Sequence, residues 1–290
     1  MNNGKKNRKV FFLISPAMIL LILFFIIPVG YLLFYSFAKY DPARLVVPEF
    51  TLENYIQFFG DSYVREMIYR TFKVAGITSL ITLLIGYPLA YYMRLARGTE
   101  KTIFAIIVLT PMMISHIILG YSWMLLLSPE SGLINVTLKA LGFISQPLQL
   151  LSTETGVIVA LVHFTLVYMV LNLHSALEGI DELHLRAASM LGAKPLHVFI
   201  RVIFPLSLPG VFSGLMLVFA VSSSALMVPL LVVGRQVPLL SVYVYDLNSH
   251  VLNWPMGATA GIALLIISLI PIFVFSSIQT KLRKRLGMER

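Results

Sequence analysis

Residues 178–210 read EGIDELHLRAASMLGAKPLHVFIRVIFPLSLPG and form the longest polar-rich segment lying between strongly apolar runs in the second half of the chain. Leu183, Ala187, Met190 and Leu191 recur at helical spacing, which predicts an amphipathic helix. Gly192 then permits a sharp turn, Lys194 and Pro195 open a second, shorter helix, and Pro205 and Pro209 lead into the next apolar run. Ala187 and Ala188 are small enough to let another backbone approach closely. Such a helix either rests on lipid headgroups or acts as a rigid coupling element docked into a groove on a soluble partner.

The runs on both sides belong to a membrane protein. Of 290 residues, 58% are hydrophobic and 12% charged, with a mean hydropathy of +0.87. A soluble domain carries roughly 25% charged residues. Six stretches, approximately 10–37, 72–93, 102–127, 155–177, 206–233 and 258–280, reach the about 20 residues a helix needs to cross a bilayer. The expected fold class is therefore all-α: a polytopic protein with six transmembrane helices. The first stretch is longer than a signal-peptide core and no small-residue cleavage pattern follows it, so it is expected to remain as an anchor.

Fifteen of the 22 lysines and arginines fall in the two tails and in the connections around 94–101 and 178–205. The positive-inside rule then places both termini in the cytoplasm. The expected layout is a basic tail at 1–9, a transmembrane domain at 10–280 with an inside loop at 178–205, and a second basic tail at 281–290. This topology accounts for the net charge of +9, and no nucleic-acid partner is expected.

Between the spans, FTLENYIQFFGD reads as a surface helix with Thr51 as its cap, and SPESGLINVTLKALG as one amphipathic helix between Gly132 and Gly142. Gly234, Asn253 and Pro255 mark turns in 234–257, which holds Arg235. Pro16, Pro28, Pro88, Pro111, Pro229 and Pro271 fall inside spans and favour kinks. Such kinks shape ordinary membrane helices, and at Pro111 and Pro229 they could line a translocation path.

Catalytic signatures are missing. There is no phosphate-binding Gly-x-x-x-x-Gly-Lys-Ser/Thr loop and no His-Glu-x-x-His. The six histidines never fall at metal-ligand spacing, and cysteine is absent. Ser213-Gly214 lacks the Gly-x-Ser-Gly setting of an intramembrane serine protease, and the spans hold no pair of aspartates. No catalytic residue, no metal site and no cofactor bound by this chain are expected. His116 and His163 read as hydrogen-bonded interior residues or as members of a pathway. Tyr91, Tyr92, Tyr121, Trp123 and Tyr168 could supply ring faces to a cationic solute or anchor the helices at the interface.

Arg186-Ala187-Ala188-x-x-x-Gly192, followed after nine residues by Val202-x-Phe204-Pro205, resembles the signature loop of the permease subunits of bacterial ABC importers, Glu-Ala-Ala-x3-Gly-x9-Ile-x-Leu-Pro. Ala187, Ala188, Gly192 and Pro205 match it. Val202 and Phe204 are apolar replacements, and Arg186 reverses the charge of the family's Glu. FTLENYIQFF, GYPLAYYM, SPESGLINVTLKALG and NWPMGATAGIAL extend the likeness over about 50–280, towards the spermidine/putrescine-type subfamily.

The resemblance implies a type I importer permease fold in a bacterial inner membrane. It implies three kinds of protein partner: a second permease, a dimeric cytoplasmic ATPase that hydrolyses ATP, and an extracytoplasmic solute-binding protein. It places docking to the ATPase on Leu183, Arg186, Ala187, Ala188, Leu191, Gly192, Pro195 and Pro205. The solute implied is a polyamine, or another small molecule such as an opine or aminoethylphosphonate. A path of Tyr91, Pro111, His116, Tyr121, His163, Tyr168 and Pro229 is then expected. A secondary transporter or channel working alone would need acids or broken-helix repeats at mid-membrane; the spans hold no interior acids and the chain shows no repeat.

Overall fold

The computed structural model describes residues 14–234 and 236–285. Arg235, the tail at 1–9 and residues 286–290 lie outside the described residues. Twelve helices carry the described fold, and its only extended pairing is an isolated bridge between Lys39 and Val47. Five helices are long and apolar enough to span a bilayer: α1 (Ile14–Ser36), α3 (Ser62–Leu95), α7 (Glu154–Glu178), α9 (Pro195–Ser224) and α12 (Trp254–Arg285), whose apolar part ends at Lys281. A sixth crossing is divided between α4 (Gly98–Met113) and α5 (His116–Leu126). The shorter helices are α2 (Glu53–Gly60), α6 (Leu133–Ala140), α8 (Glu182–Met190), α10 (Met227–Val232) and α11 (Leu240–Ser249).

Of the described residues, those from 14 to 65 form one compact unit with Tyr243–Ala263. In it α1 is apolar on all sides and unburied by the rest of the chain, as a lipid-facing helix should be. Its end is fixed by polar contacts: the buried Asn54 amide donates to the Ser36 and Ala38 carbonyls at 3.0 and 2.8 Å, and Thr259 Oγ1 donates to Ser36 at 3.2 Å. Thr51 Oγ1 accepts from the Glu53 amide at 3.1 Å, but the cap position expected at Thr51 is taken by Leu52.

The second unit, Glu66–Val242 with Leu264–Arg290, is built around α7. Leu161, Met169, Leu173 and Leu177 along this helix are fully buried. In a bilayer, helices gain from close fit rather than from escape from water, so small residues decide which pairs approach. Gly210 and Gly214 of α9 stand four apart and face α7. A Cβ on Gly210 would lie 2.3 Å from Ala176 Cβ, and one on Gly214 would lie 2.6 Å from Met169 Sδ.

The helical breaks differ from those expected. The stretch 102–127 is not one continuous helix: α4 and α5 meet at a 100° bend over Ile114 and Ser115. At about 1.5 Å per residue, the 16 residues of α4 extend about 24 Å, short of the about 30 Å hydrocarbon core. The fifth span ends at Ser224 rather than 233, and Pro229 lies in the separate α10. The second span starts at Ser62, ten residues before its hydropathy limit. The helix opened by Pro195 is not a separate element, since it runs into α9 through a wide π turn at Phe199–Ile203.

The π turn has a local cause. Pro205 has no N–H, and its ring crowds the carbonyl four residues back. The ladder loosens before it, with the Phe204 amide bonding to Phe199 O, five residues back. The same thing happens in α1, where the Ile27 amide reaches Ile22 O just ahead of Pro28.

Candidate functional site

The loop at 178–205 is an ordered helix with both ends closed. Asp181 caps α8, its carboxylate accepting from the Leu183 amide at 2.9 Å. At the other end Gly192 takes φ +76°, and two amides fold back: Gly192 N to Ser189 O at 3.0 Å and Ala193 N to Ala188 O at 3.2 Å. This pair of bonds is the Schellman closure, for which glycine is the favoured residue. Leu185, Ala188 and Ala193 turn inward onto the core formed with Leu177, Ile180 and Val198. Leu183, Met190, Leu191 and Leu196 turn outward and are 68%, 89%, 88% and 69% exposed.

Each residue expected on this loop therefore has a definite place. Leu183, Ala187 and Leu191 are exposed on α8 or its cap. Ala188 instead faces the protein's own core, so of the two small residues Ala187 alone lies open to a partner. Gly192 makes the turn, Pro195 is the first residue of α9, and Pro205 follows the π turn. Arg186 is exposed and pairs with Glu182 one turn back, Nη2 to Oε2 at 2.8 Å.

The pathway candidates do not form one group. His163 Nδ1 accepts from Trp123 Nε1 at 3.1 Å, His116 stacks edge-on against Phe164 at 4.7 Å, and Phe164 meets Tyr168. His116 and Trp123 are seven residues apart on α5 yet touch consecutive residues of α7. Both contacts hold α5 to one short stretch of α7. Tyr91 lies elsewhere, against Phe199 at 5.5 Å. Tyr121 is exposed, and Pro111 and Pro229 are buried on α4 and α10. Phe164 was not expected here; its only signal is its placement four residues before Tyr168 in a mostly apolar helix.

Charges collect at the start of this loop, and sequence reading did not connect them. Lys101 Nζ meets Glu178 Oε1 at 2.5 Å, His174 Nε2 lies 3.3 Å from the same oxygen, and Arg94 Nη2 donates to Ile180 O at 3.2 Å. Among the described residues, no cluster of His, Asp or Glu could hold a metal ion.

The model of the family "Binding-protein-dependent transport system inner membrane component" matches residues 82–288. The chain belongs to this family. It is 32% identical over 269 residues to the spermidine/putrescine transport system permease protein PotB of Haemophilus influenzae, covering 93% of each chain. The corresponding protein of Escherichia coli K12 is 30% identical, over 93% of this chain and 97% of its own. A bacterial alginate ABC transporter, solved in complex with its alginate pentasaccharide-bound periplasmic protein, superposes with a TM-score of 0.76 at 17% identity, covering 97% of this chain and 96% of that one. The MetNI methionine ABC transporter in an inward-facing conformation gives 0.56 at 18% identity, over 74% and 94%. The permease thus has the type I importer fold. It is a multi-pass inner-membrane protein and a transport component rather than an enzyme.

Proposed function

We propose that this permease forms half of the translocation pathway of an ATP-driven polyamine importer, with spermidine or putrescine delivered by a solute-binding protein. A second permease completes the pathway, and a separate cytoplasmic ATPase dimer drives it. The observation that carries this reading is α8. It is a short helix outside the apolar spans, closed at both ends and held against the core on one side, with Leu183, Met190 and Leu191 standing out on the other. Large apolar side chains displayed on a polar connection call for a partner, and a capped helix transmits force better than a loose loop.

In this reading Arg186, Ala187, Leu183 and Leu191 meet the ATPase, Gly192 and Pro195 hold the turn, and Ala188 and Pro205 fix the loop to the spans. The loop faces the cytoplasm with both termini, in keeping with the distribution of Lys and Arg. The polyamine assignment is supported by the names of the relatives that match nearly the whole chain. It is also supported by the half-buried rings of Trp123 and Tyr168, since aromatic faces suit an amine cation. Nothing in the mechanism asks this chain to bind a cofactor.

The test is affinity purification from native membranes with the natural operon expressed, followed by uptake of radiolabelled spermidine and putrescine. Copurification of a second permease and an ATPase, with uptake lost on deletion, is expected. Recovery of the chain alone, stoichiometric only with itself, would revive a stand-alone transporter. Intact assembly without polyamine uptake would assign a different small solute.

A further inference from the structure

The joint between α7 and α8 is only three residues long: Gly179, Ile180 and Asp181. The Ile180 side chain is buried in the core, its carbonyl is held by Arg94, and Asp181 caps α8. Immediately before the joint, Glu178 receives Lys101, while His174 one turn back supports the same carboxylate oxygen. Arg94 ends α3 and Lys101 lies in the first turn of α4. The base of α8 is thus tied by two side chains to the turn joining α3 and α4. From there α4 runs to the bend at Ile114–Ser115, where α5 meets α7 through His116 and Trp123.

We propose that Arg94, Lys101 and Glu178 form a clamp that makes α8 and α4 a single lever, delivering displacement of α8 to the bend at Ile114–Ser115. The three are positioning residues. Lys101 and Glu178 are 41% and 49% exposed, and exposed pairs contribute little to folding, so loss of the pair leaves a folded permease with a loosened lever. Arg94 acts on a main-chain oxygen, so it fixes the path of the joint whatever side chain Ile180 carries. This inference rests on α8 being the site where the ATPase acts.

The test uses the assembled complex in proteoliposomes with its binding protein. This permease has no cysteine, so with the partners' cysteines replaced, spin labels sit at His184→Cys on α8 and Ile106→Cys on α4. The distance between them is read without nucleotide and with ATP trapped by vanadate. An unchanged distance is expected with the clamp intact. In the Lys101→Met/Glu178→Gln double variant the distribution should broaden, and solute moved per ATP hydrolysed should fall by up to about 5-fold, while ATPase copurification persists. Lys101→Arg, which keeps the charge, should behave as wild type. Labels that move apart in the intact protein, or a double variant unchanged in distance and stoichiometry, would overturn the lever. A double variant that alone sheds its ATPase would overturn it in favour of a docking role. If the unmodified permease captures no ATPase, the importer reading itself fails and the lever with it.

Discussion

Gly192→Val isolates the turn that closes α8. A Cβ at this position would meet nothing within 4 Å, so side-chain size carries no steric penalty. The cost is the backbone angle of +76°. Holding an L-residue there costs about 1–2 kcal/mol, and a β-branched one sits at the upper end. Relaxing that strain breaks the bonds from Gly192 to Ser189 and from Ala193 to Ala188, each worth about 1 kcal/mol net. The strain thus offsets most of what the two bonds hold, and because 1–2 kcal/mol shifts an equilibrium about 5- to 30-fold, the open turn becomes comparably populated while the spans stay intact.

A matched control exists in the same chain. Gly142 also has φ +76° and open space around its Cβ, and it closes α6 with the same pair of bonds, to Lys139 and from Phe143 to Leu138. Both variants should fold and reach the membrane. Gly192→Val should lose a substantial share of its ATPase on purification and of its transport; Gly142→Val should keep its ATPase. Gly192→Asn, which tolerates this angle better, should recover part of the loss. Equal ATPase retention by Gly192→Val and Gly142→Val would refute the assignment of α8.

Two further outcomes follow from contacts already described. Gly210→Ala should lower the thermal stability of the detergent-solubilised permease by about 1–3 kcal/mol, since its Cβ would press on Ala176 Cβ and on the Asn172 carbonyl at 3.0 Å; Gly214→Ala should cost less, because it meets the mobile Met169 thioether, and the reverse order in thermal melts would contradict the α7–α9 contact described. Arg186→Glu replaces an exposed i,i+4 ion pair with like charges, a change of only a few tenths of a kcal/mol in the helix, yet it should weaken capture of the native ATPase in pull-downs, and unchanged capture would remove Arg186 from the docking surface.

The parts of this architecture that depend on local chemistry were legible in the sequence. Gly192, the α8 periodicity and the helix between Gly132 and Gly142 all follow from residue type and spacing. The bend at Ile114–Ser115 was not legible, because summed hydropathy is the same for a straight helix and a bent one. Pro111 misleads here: it suggests a kink at its own position, whereas it lies buried inside α4 and the chain turns at Ile114–Ser115, directly after Met112 and Met113. Pro229 misled for a related reason, since apolarity continues past Ser224 although the helix does not. The clamp was out of reach because Lys101 and Glu178 are 77 residues apart, and each reads alone as an ordinary charge at the end of a span.

Exposure means different things along this chain. On α1 or α4 an exposed isoleucine is at rest, since lipid tails solvate it as well as a protein core would. On α8 the same exposure stands beside Glu182, Arg186 and Lys194, in a polar connection that the proposed docking places away from lipid tails. Met190 and Leu191 therefore leave apolar surface in water unless a protein covers it. The inner face of the helix is already taken by Leu185 and Ala188, so the chain cannot bury the outer residues by rolling α8 over. Removing Met190 and Leu191 together, as Met190→Ser/Leu191→Ser, should consequently leave the melting temperature of the isolated permease unchanged and abolish ATPase capture. A loss of stability with capture retained would show that these side chains serve the permease's own fold, and the argument from exposure would fail.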